Sequence, residues 1–289
     1  MNELFLGIDA GGTHCRARLV DADGNILGSG RAGPANLTWG IDKAHRAIMA
    51  ASAEAFAEAG FGRTAMRRTH AGMGIAGADD PAQARKMAAR RFGFASVTIR
   101  SDAETACIGA HEGRDGGVLI LGTGSNGLVR RRGKLERVSG DGFLISDLGS
   151  GAVVGHAAAR QALAAHQRVI APSPLTRRIM RHFDNDPSKM RAWAMAATPS
   201  HWGELAPLVF ACSDKADPVA RRLVADAVAD VTRLLDRMIA LGAKRIALTG
   251  GLADAYAGRL PRRLVRILVP ARRDALSGAI DLARRMAGT

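Results

Sequence analysis

Residues 4–10 (LFLGIDA) form a short apolar run that stops at Gly11-Gly12, the pattern of a buried strand entering a tight turn. Residues 14–21 (HCRARLVD) then alternate, Asp23-Gly24 marks a hairpin turn, and 26–32 (ILGSGRA) returns, so the chain is predicted to open with three antiparallel strands. An amphipathic helix is predicted over 41–59, followed by a strand at 68–76, a helix at 81–92, a strand at 96–100 and a helix from Asp102 to His111.

The opening pattern then recurs. Residues 117–122 (GVLILG) are again an apolar strand ending in glycine, followed by Thr123-Gly124-Ser125, a strand at 127–131, a turn at Arg132-Gly133 and a strand through 134–138. Irregular spacing makes this a duplicated fold unit and not a solenoid. Helical patterns dominate from Ser150 to Leu241, and strands at 245–249 and 264–269 and a helix at 274–286 complete the chain. The expectation is an α/β protein of two lobes, 1–112 and 113–289, each a mixed sheet with flanking helices. Their glycine turns would face one cleft, and the last helix would pack back on the first lobe.

Composition narrows the functional classes. With 47% apolar and 24% charged residues the chain can build packed cores. Its formal charge of +14 suggests a polyanion partner, but the basic residues are scattered Arg doublets such as Arg67-Arg68 and Arg221-Arg222. Aromatics make up only 4%, so a single-strand nucleic-acid platform is missing and no nucleic-acid partner is expected. Cys15, Cys107 and Cys212 lack CxxC spacing, which excludes a sequence-evident zinc or iron–sulfur site and suits a reducing cytoplasm. Met1–Ala10 has no basic leader region, and no stretch reaches a bilayer-spanning length, so a cytoplasmic protein without membrane attachment is expected.

Candidate chemistry gathers at the glycine turns. In GIDAGGT (7–13), the bare backbone of Gly11-Gly12 and the Thr13 hydroxyl can donate to a phosphate. Asp9 beside that turn would repel the phosphate unless it holds Mg²⁺, usually through water. LGTGS (121–125) is the matching turn, with Gly122, Thr123, Gly124 and Ser125, and two such loops could hold a triphosphate. In SDAETAC (101–107), Ser101 and Glu104 have capping-box spacing, while Asp102 at a strand end could accept the proton of an attacking hydroxyl. Asn36, on the loop GPANLTWG, is either a sugar ligand or a helix cap. In GDGFLISDLGSG (140–151), Asp141 or Asp147 could bind vicinal hydroxyls, or Asp147 could merely sit near a helix start. GMGIAG (72–77) imitates a dinucleotide fingerprint, but its glycines fall inside a strand that three antiparallel strands precede.

GIDAGGTHCRARLVD resembles the first phosphate motif of the sugar kinase/hsp70/actin superfamily, GVLILGTGSNG its second, and RIALTGGLADAY (245–256) its adenosine motif with Gly250-Gly251. Within it, GPANLTWG, SDAETACIGAH, LISDLGSGAVVG, HFDNDP and DALSGAI resemble the BadF/BadG/BcrA/BcrD ATPase and N-acetylglucosamine kinase family, most closely its bacterial glucosamine kinases. The resemblance implies the two-lobed actin-like (ribonuclease H-like) ATPase fold, ATP and Mg²⁺ as cofactors, and phosphorylation of the 6-hydroxyl of an amino sugar. It further implies Asp102 as general base, Asp9 on the Mg²⁺ side, Asn36 and Asp147 as sugar ligands, and a homodimer. N-acetylglucosamine is the alternative substrate, and a sugar sensor or activator ATPase without turnover the alternative class. Leu148 departs from the Glu that many N-acetylglucosamine kinases carry there, His14 replaces a small polar residue, and the cluster cysteines of the activators are absent.

Overall fold

The computed structural model describes residues 3–288. The chain divides into two compact units, one taking in residues up to Val118 together with Arg130–Lys134 and the stretch from Pro270 onward, the other Leu119–Val129 and Leu135–Val269.

The first unit is built on a five-stranded sheet of order β3-β2-β1-β4-β5. Its strands are β1 (Leu4–Ala10), β2 (Cys15–Val20), β3 (Ile26–Ala32), β4 (Thr69–Ile75) and β5 (Ser96–Ser101). The first three are antiparallel, as the hairpin turns require, whereas β4 and β5 run parallel to β1. Helices α1 (Ile41–Glu58), α2 (Arg63–Met66), α3 (Pro81–Ala88) and α4 (Asp102–His111) accompany them. The parallel register aligns Ala10 with Ile75 and Ile75 with Ser101, so β1, β4 and β5 end at one edge.

The second sheet has the order β8-β7-β6-β9, from β6 (Gly116–Leu121), β7 (Ser125–Arg131), β8 (Lys134–Val138) and, after a long helical stretch, β9 (Ile246–Thr249). That stretch comprises α5 (Gly151–His166), α6 (Pro174–His182), α7 (Pro187–Ala196), α8 (Pro199–Gly203), α9 (Ala206–Asp214) and α10 (Pro218–Ala240). Its buried faces, with Val154, Ile179, Val209, Val231 and Leu235, form the core of the second unit with Leu119, Leu121 and Ile246.

The chain ends in α11 (Ala253–Ala257), α12 (Arg262–Val265) and α13 (Ala275–Ala287). The strand expected at 264–269 is therefore not formed. The stretch begins in a helical turn that buries Leu264, and only a single parallel bridge, Leu268 to Ile246, joins it to β9. Within the first unit, α13 packs on β1, β4 and α4 so closely that side chains are excluded. A Cβ at Gly72 would lie 1.9 Å from the Ala279 carbonyl oxygen, and one at Gly278 2.0 Å from that of Thr105. The glycines of GMGIAG thus admit a helix. Asp274 caps α13 and pairs with Arg18 of β2 at 2.7 Å.

Candidate active site

On the first unit, three expected residues lie at the edge where the parallel strands end. Asp9 is the penultimate residue of β1, half-buried, and the turn Gly11–Thr13 follows it. Gly11 closes the turn by donating its N–H to the His14 carbonyl at 2.9 Å. Its own carbonyl accepts from Ala35 N–H at 2.9 Å, tying the turn to the loop that carries Asn36. That loop is anchored again where Leu37 N–H reaches the Ala76 carbonyl at 3.0 Å, beyond the end of β4. The Trp39 ring lies over Gly12, 3.3 Å from where a Cβ would stand.

Asn36 is a cap. Its Oδ1 accepts from Thr38 N–H at 2.9 Å and from the Thr38 hydroxyl at 2.8 Å, opening a single 3₁₀ turn, Leu37–Trp39. Capping uses the oxygen, so a ligand hydroxyl would be met through Nδ2. Asp102 is the first residue of α4, and the cap is its neighbour: Ser101 Oγ accepts from Glu104 N–H at 3.2 Å. The carboxylate of Glu104 lies 3.5 Å from Arg100 Nε. Every residue of α4 from Ala103 to His111 except Glu104 is buried, so Asp102 stands on a rigid mount, its Oδ1 accepting from Ala103 N–H at 2.8 Å.

On the second unit, Gly122 N–H donates to the Gly124 carbonyl at 2.9 Å, folding 122–125 into a compact turn. Residues at the start of α5 donate to that turn, Gly151 N–H to Gly122 O at 2.8 Å and Ala152 N–H to Thr123 O at 3.1 Å. Gly250 (φ +91°) nests against the end of β6, where a Cβ would stand 2.4 Å from the Leu121 carbonyl oxygen, and Leu252 N–H bonds that same oxygen at 2.9 Å. A Cβ at Gly251 would meet open space.

Asp147 joins this group. It is only 8% exposed and left-handed (φ +57°), and its Oδ2 sits 2.7 Å from where a Cβ on Gly124 would be. Burial pushes its carboxyl up to about 6, helped by the charge of Asp141 and opposed by backbone N–H groups of Gly142 and Ser125. Asp141 itself is exposed and paired with Arg137.

Four contributors were not singled out from the sequence. Arg16 faces Asp9 across the β1–β2 ladder, with Nη2 2.5 Å from Oδ2. Trp39 covers Gly12. Ser139 links the Ser125 and Ser146 hydroxyls at 3.1 and 3.2 Å. Tyr256, fully buried in α11, donates its hydroxyl to the Gly149 carbonyl at 2.5 Å and so anchors the loop bearing Asp147. The alternation over 14–21 held the signal for Arg16; the others depend on long-range packing.

The BadF/BadG/BcrA/BcrD ATPase family model matches residues 6–264. The glucosamine kinase GspK of Vibrio cholerae serotype O1 is 34% identical over 279 residues, 96% of this chain and 95% of that protein. A crystal structure from Chromobacterium violaceum, described as that of an N-acetylglucosamine kinase, is 32% identical and covers 97% of this chain and 99% of its own, with a TM-score of 0.92. A ROK family glucokinase from Streptomyces griseus, solved with glucose and AMPPNP, shares the fold at 19% identity, with 98% and 99% coverage and a TM-score of 0.55. The architecture is thus the actin-like α/β ATPase fold expected from the motifs. Among the described residues no helix is long and apolar enough to cross a membrane.

Proposed function

The chain belongs to the BadF/BadG/BcrA/BcrD ATPase family, and from that premise we propose that it is an ATP-dependent kinase phosphorylating the 6-hydroxyl of glucosamine. The observation that carries the reading is the shared sheet edge of the first unit. The β1, β4 and β5 register brings a glycine turn, an amide loop and a carboxylate at a helix start to one end of the strands. In α/β sheets ligands bind at the carboxyl ends of parallel strands. A relative alike over 96% of this chain is a glucosamine kinase.

The roles follow from the chemistry of each group. The turns Gly11–Thr13 on the first unit and Gly122–Ser125 on the second let phosphate oxygens approach bare glycine backbone, with the hydroxyls of Thr13 and Thr123 as donors. Gly250 packs the turn against β6, and Gly251 beside it leaves bare backbone for the adenosine. On the first unit Asn36 and Asp102 are assigned to the sugar, and on the second unit Asp147 is. Asp102 takes the proton from the 6-hydroxyl as that oxygen attacks the γ-phosphorus and the bond to ADP breaks. Little covalent chemistry is required, so the rate comes from positioning.

Asp9 suits a Mg²⁺ ion held through water, because Arg16 already engages its Oδ2 and would compete with direct ligation. The ion, when bound, neutralises charge on the phosphates. The three cysteines are buried and none is joined in a disulfide, as a reducing cytoplasm permits.

A second reading, N-acetylglucosamine as substrate, is favoured by the description of the Chromobacterium violaceum relative. Assay of glucosamine, N-acetylglucosamine and glucose with ATP and Mg²⁺ decides between them. The highest kcat/KM should belong to glucosamine, and a chain that turns over no amino sugar is not this enzyme.

A further inference from the structure

Asp147 is the feature of the second unit that packing alone does not explain. The chain carries a formal charge of +14, and its exposed carboxylates are widely paired with arginine, as in Asp141–Arg137, Asp214–Arg259 and Asp236–Arg263. Asp147 is more than nine-tenths buried and has no such partner among the described residues. Among the described residues its carboxylate accepts from backbone N–H groups, Gly142 at 3.3 Å and Ser125, and from no side chain. The charge acting on it is a second carboxylate, Asp141, whose own cation is Arg137. A buried carboxylate without a cation is costly, and its backbone here adds a left-handed φ of +57°. The fold retains it against the glycine of a turn where any side chain at position 124 would displace it.

We propose that Asp147 reads the positive charge of the sugar's 2-ammonium group and thereby sets the preference for a free amino sugar over neutral hexoses. This rests on the kinase reading above and deepens it. Hydroxyl groups would satisfy the carboxylate's lone pairs but leave its charge uncompensated. Free glucosamine is an ammonium ion near neutral pH and supplies both donors and charge. An N-acetyl group removes that charge and adds bulk.

The test is selectivity, because a structural role would lower activity toward all sugars alike. The ratio of kcat/KM for glucosamine to that for glucose is measured in wild type and in Asp147→Asn, which keeps shape and acceptor oxygen. The ratio should fall about 10- to 100-fold, the worth of a charge-assisted hydrogen bond, with KM for Mg·ATP unchanged. A parallel loss on both sugars, or an unchanged ratio, overturns the proposal. Wild type provides a measurement independent of the variant. As pH rises through the titration of the sugar's amine, KM should climb for glucosamine but not for glucose, and two flat profiles would count equally against it. A wild type that phosphorylates none of these sugars overturns the kinase reading and the proposal together.

Discussion

Arg16 and Asp9 are register partners on β2 and β1, and the guanidinium grips one carboxylate oxygen twice, with Nη2 at 2.5 Å and Nε at 3.2 Å from Oδ2. The pair sits beside the Gly11–Thr13 turn, so a fixed positive group stands next to the carboxylate assigned to the metal. Oδ1 remains for a water of the metal's shell.

Replacing Asp9 by Asn therefore acts on nucleotide use and not on folding. Arg16 is 43% exposed and regains water when its partner is neutralised, so the lost pair costs at most about 1 kcal/mol. KM for Mg·ATP should rise at least tenfold, and the Mg²⁺ requirement should move to higher concentration, while sugar affinity holds. Steady-state kinetics at varied Mg²⁺ check this, and wild-type Mg²⁺ dependence in the variant would remove Asp9 from the metal side.

Asp147 makes a prediction about stability that is separate from its sugar role. Burial raises its carboxyl from the usual 3.8 to about 6, so the folded chain binds this proton more tightly than the unfolded chain does. The stabilisation from protonation is complete below the unfolded value and is lost as pH rises through about 6. Asp147→Asn, which needs no proton, should melt above wild type at pH 7–8, with the advantage disappearing near pH 4. Thermal melts across that range measure it, and a variant less stable than wild type at pH 8 would show the carboxylate to be a structural asset.

The helix that ends the described chain governs the mount of Asp102. Gly278 of α13 lies against α4, where a Cβ would meet the Thr105 carbonyl oxygen at 2.0 Å and the Gly109 nitrogen at 2.7 Å. Backbone atoms cannot rotate away, so Gly278→Ala should cost about 3 kcal/mol or more. Because α4 begins at Asp102, kcat should fall even where the variant remains folded, with KM for ATP less affected. A variant with wild-type melting and kcat would show that the two helices are not in this contact.

The sequence exposed what local rules govern. Residues 26–32 and 134–138 were legible to the residue as strands, because hairpin turns and alternation are local signals. The residues meeting at the sheet edge were legible because strand ends and glycine turns carry them. What stayed hidden depends on contacts distant in sequence. Gly72 and Gly74 imitate a nucleotide loop but admit Ala279 of α13 and Thr105 of α4. The run at 264–269 has strand composition, yet among the described residues it joins β9 in a single bridge at Ile246, through the Ile267 carbonyl and the Val269 N–H. Asp147 could be named as a polar candidate, whereas its lack of a cation follows from where Arg137 goes.

Asp102→Asn gives the sharpest separation of roles. Capping of α4 rests on Ser101, whose Oγ takes the Glu104 N–H, so Asp102 is not needed to start the helix. Asn keeps an Oδ1 able to accept from Ala103 N–H, as Asp102 does at 2.8 Å, and the variant should melt near wild type. It should still bind sugar, since an amide hydrogen-bonds a hydroxyl. What it cannot do is take the proton, and kcat should fall roughly two to four orders of magnitude, the usual worth of a positioned general base. The loss should be equal in kcat and kcat/KM, because the interaction removed exists only in the transition state. Proton transfer is thus tested apart from fold and binding. A variant that melts with wild type, binds glucosamine and retains more than about a tenth of wild-type kcat would leave phosphoryl transfer without a base at this position.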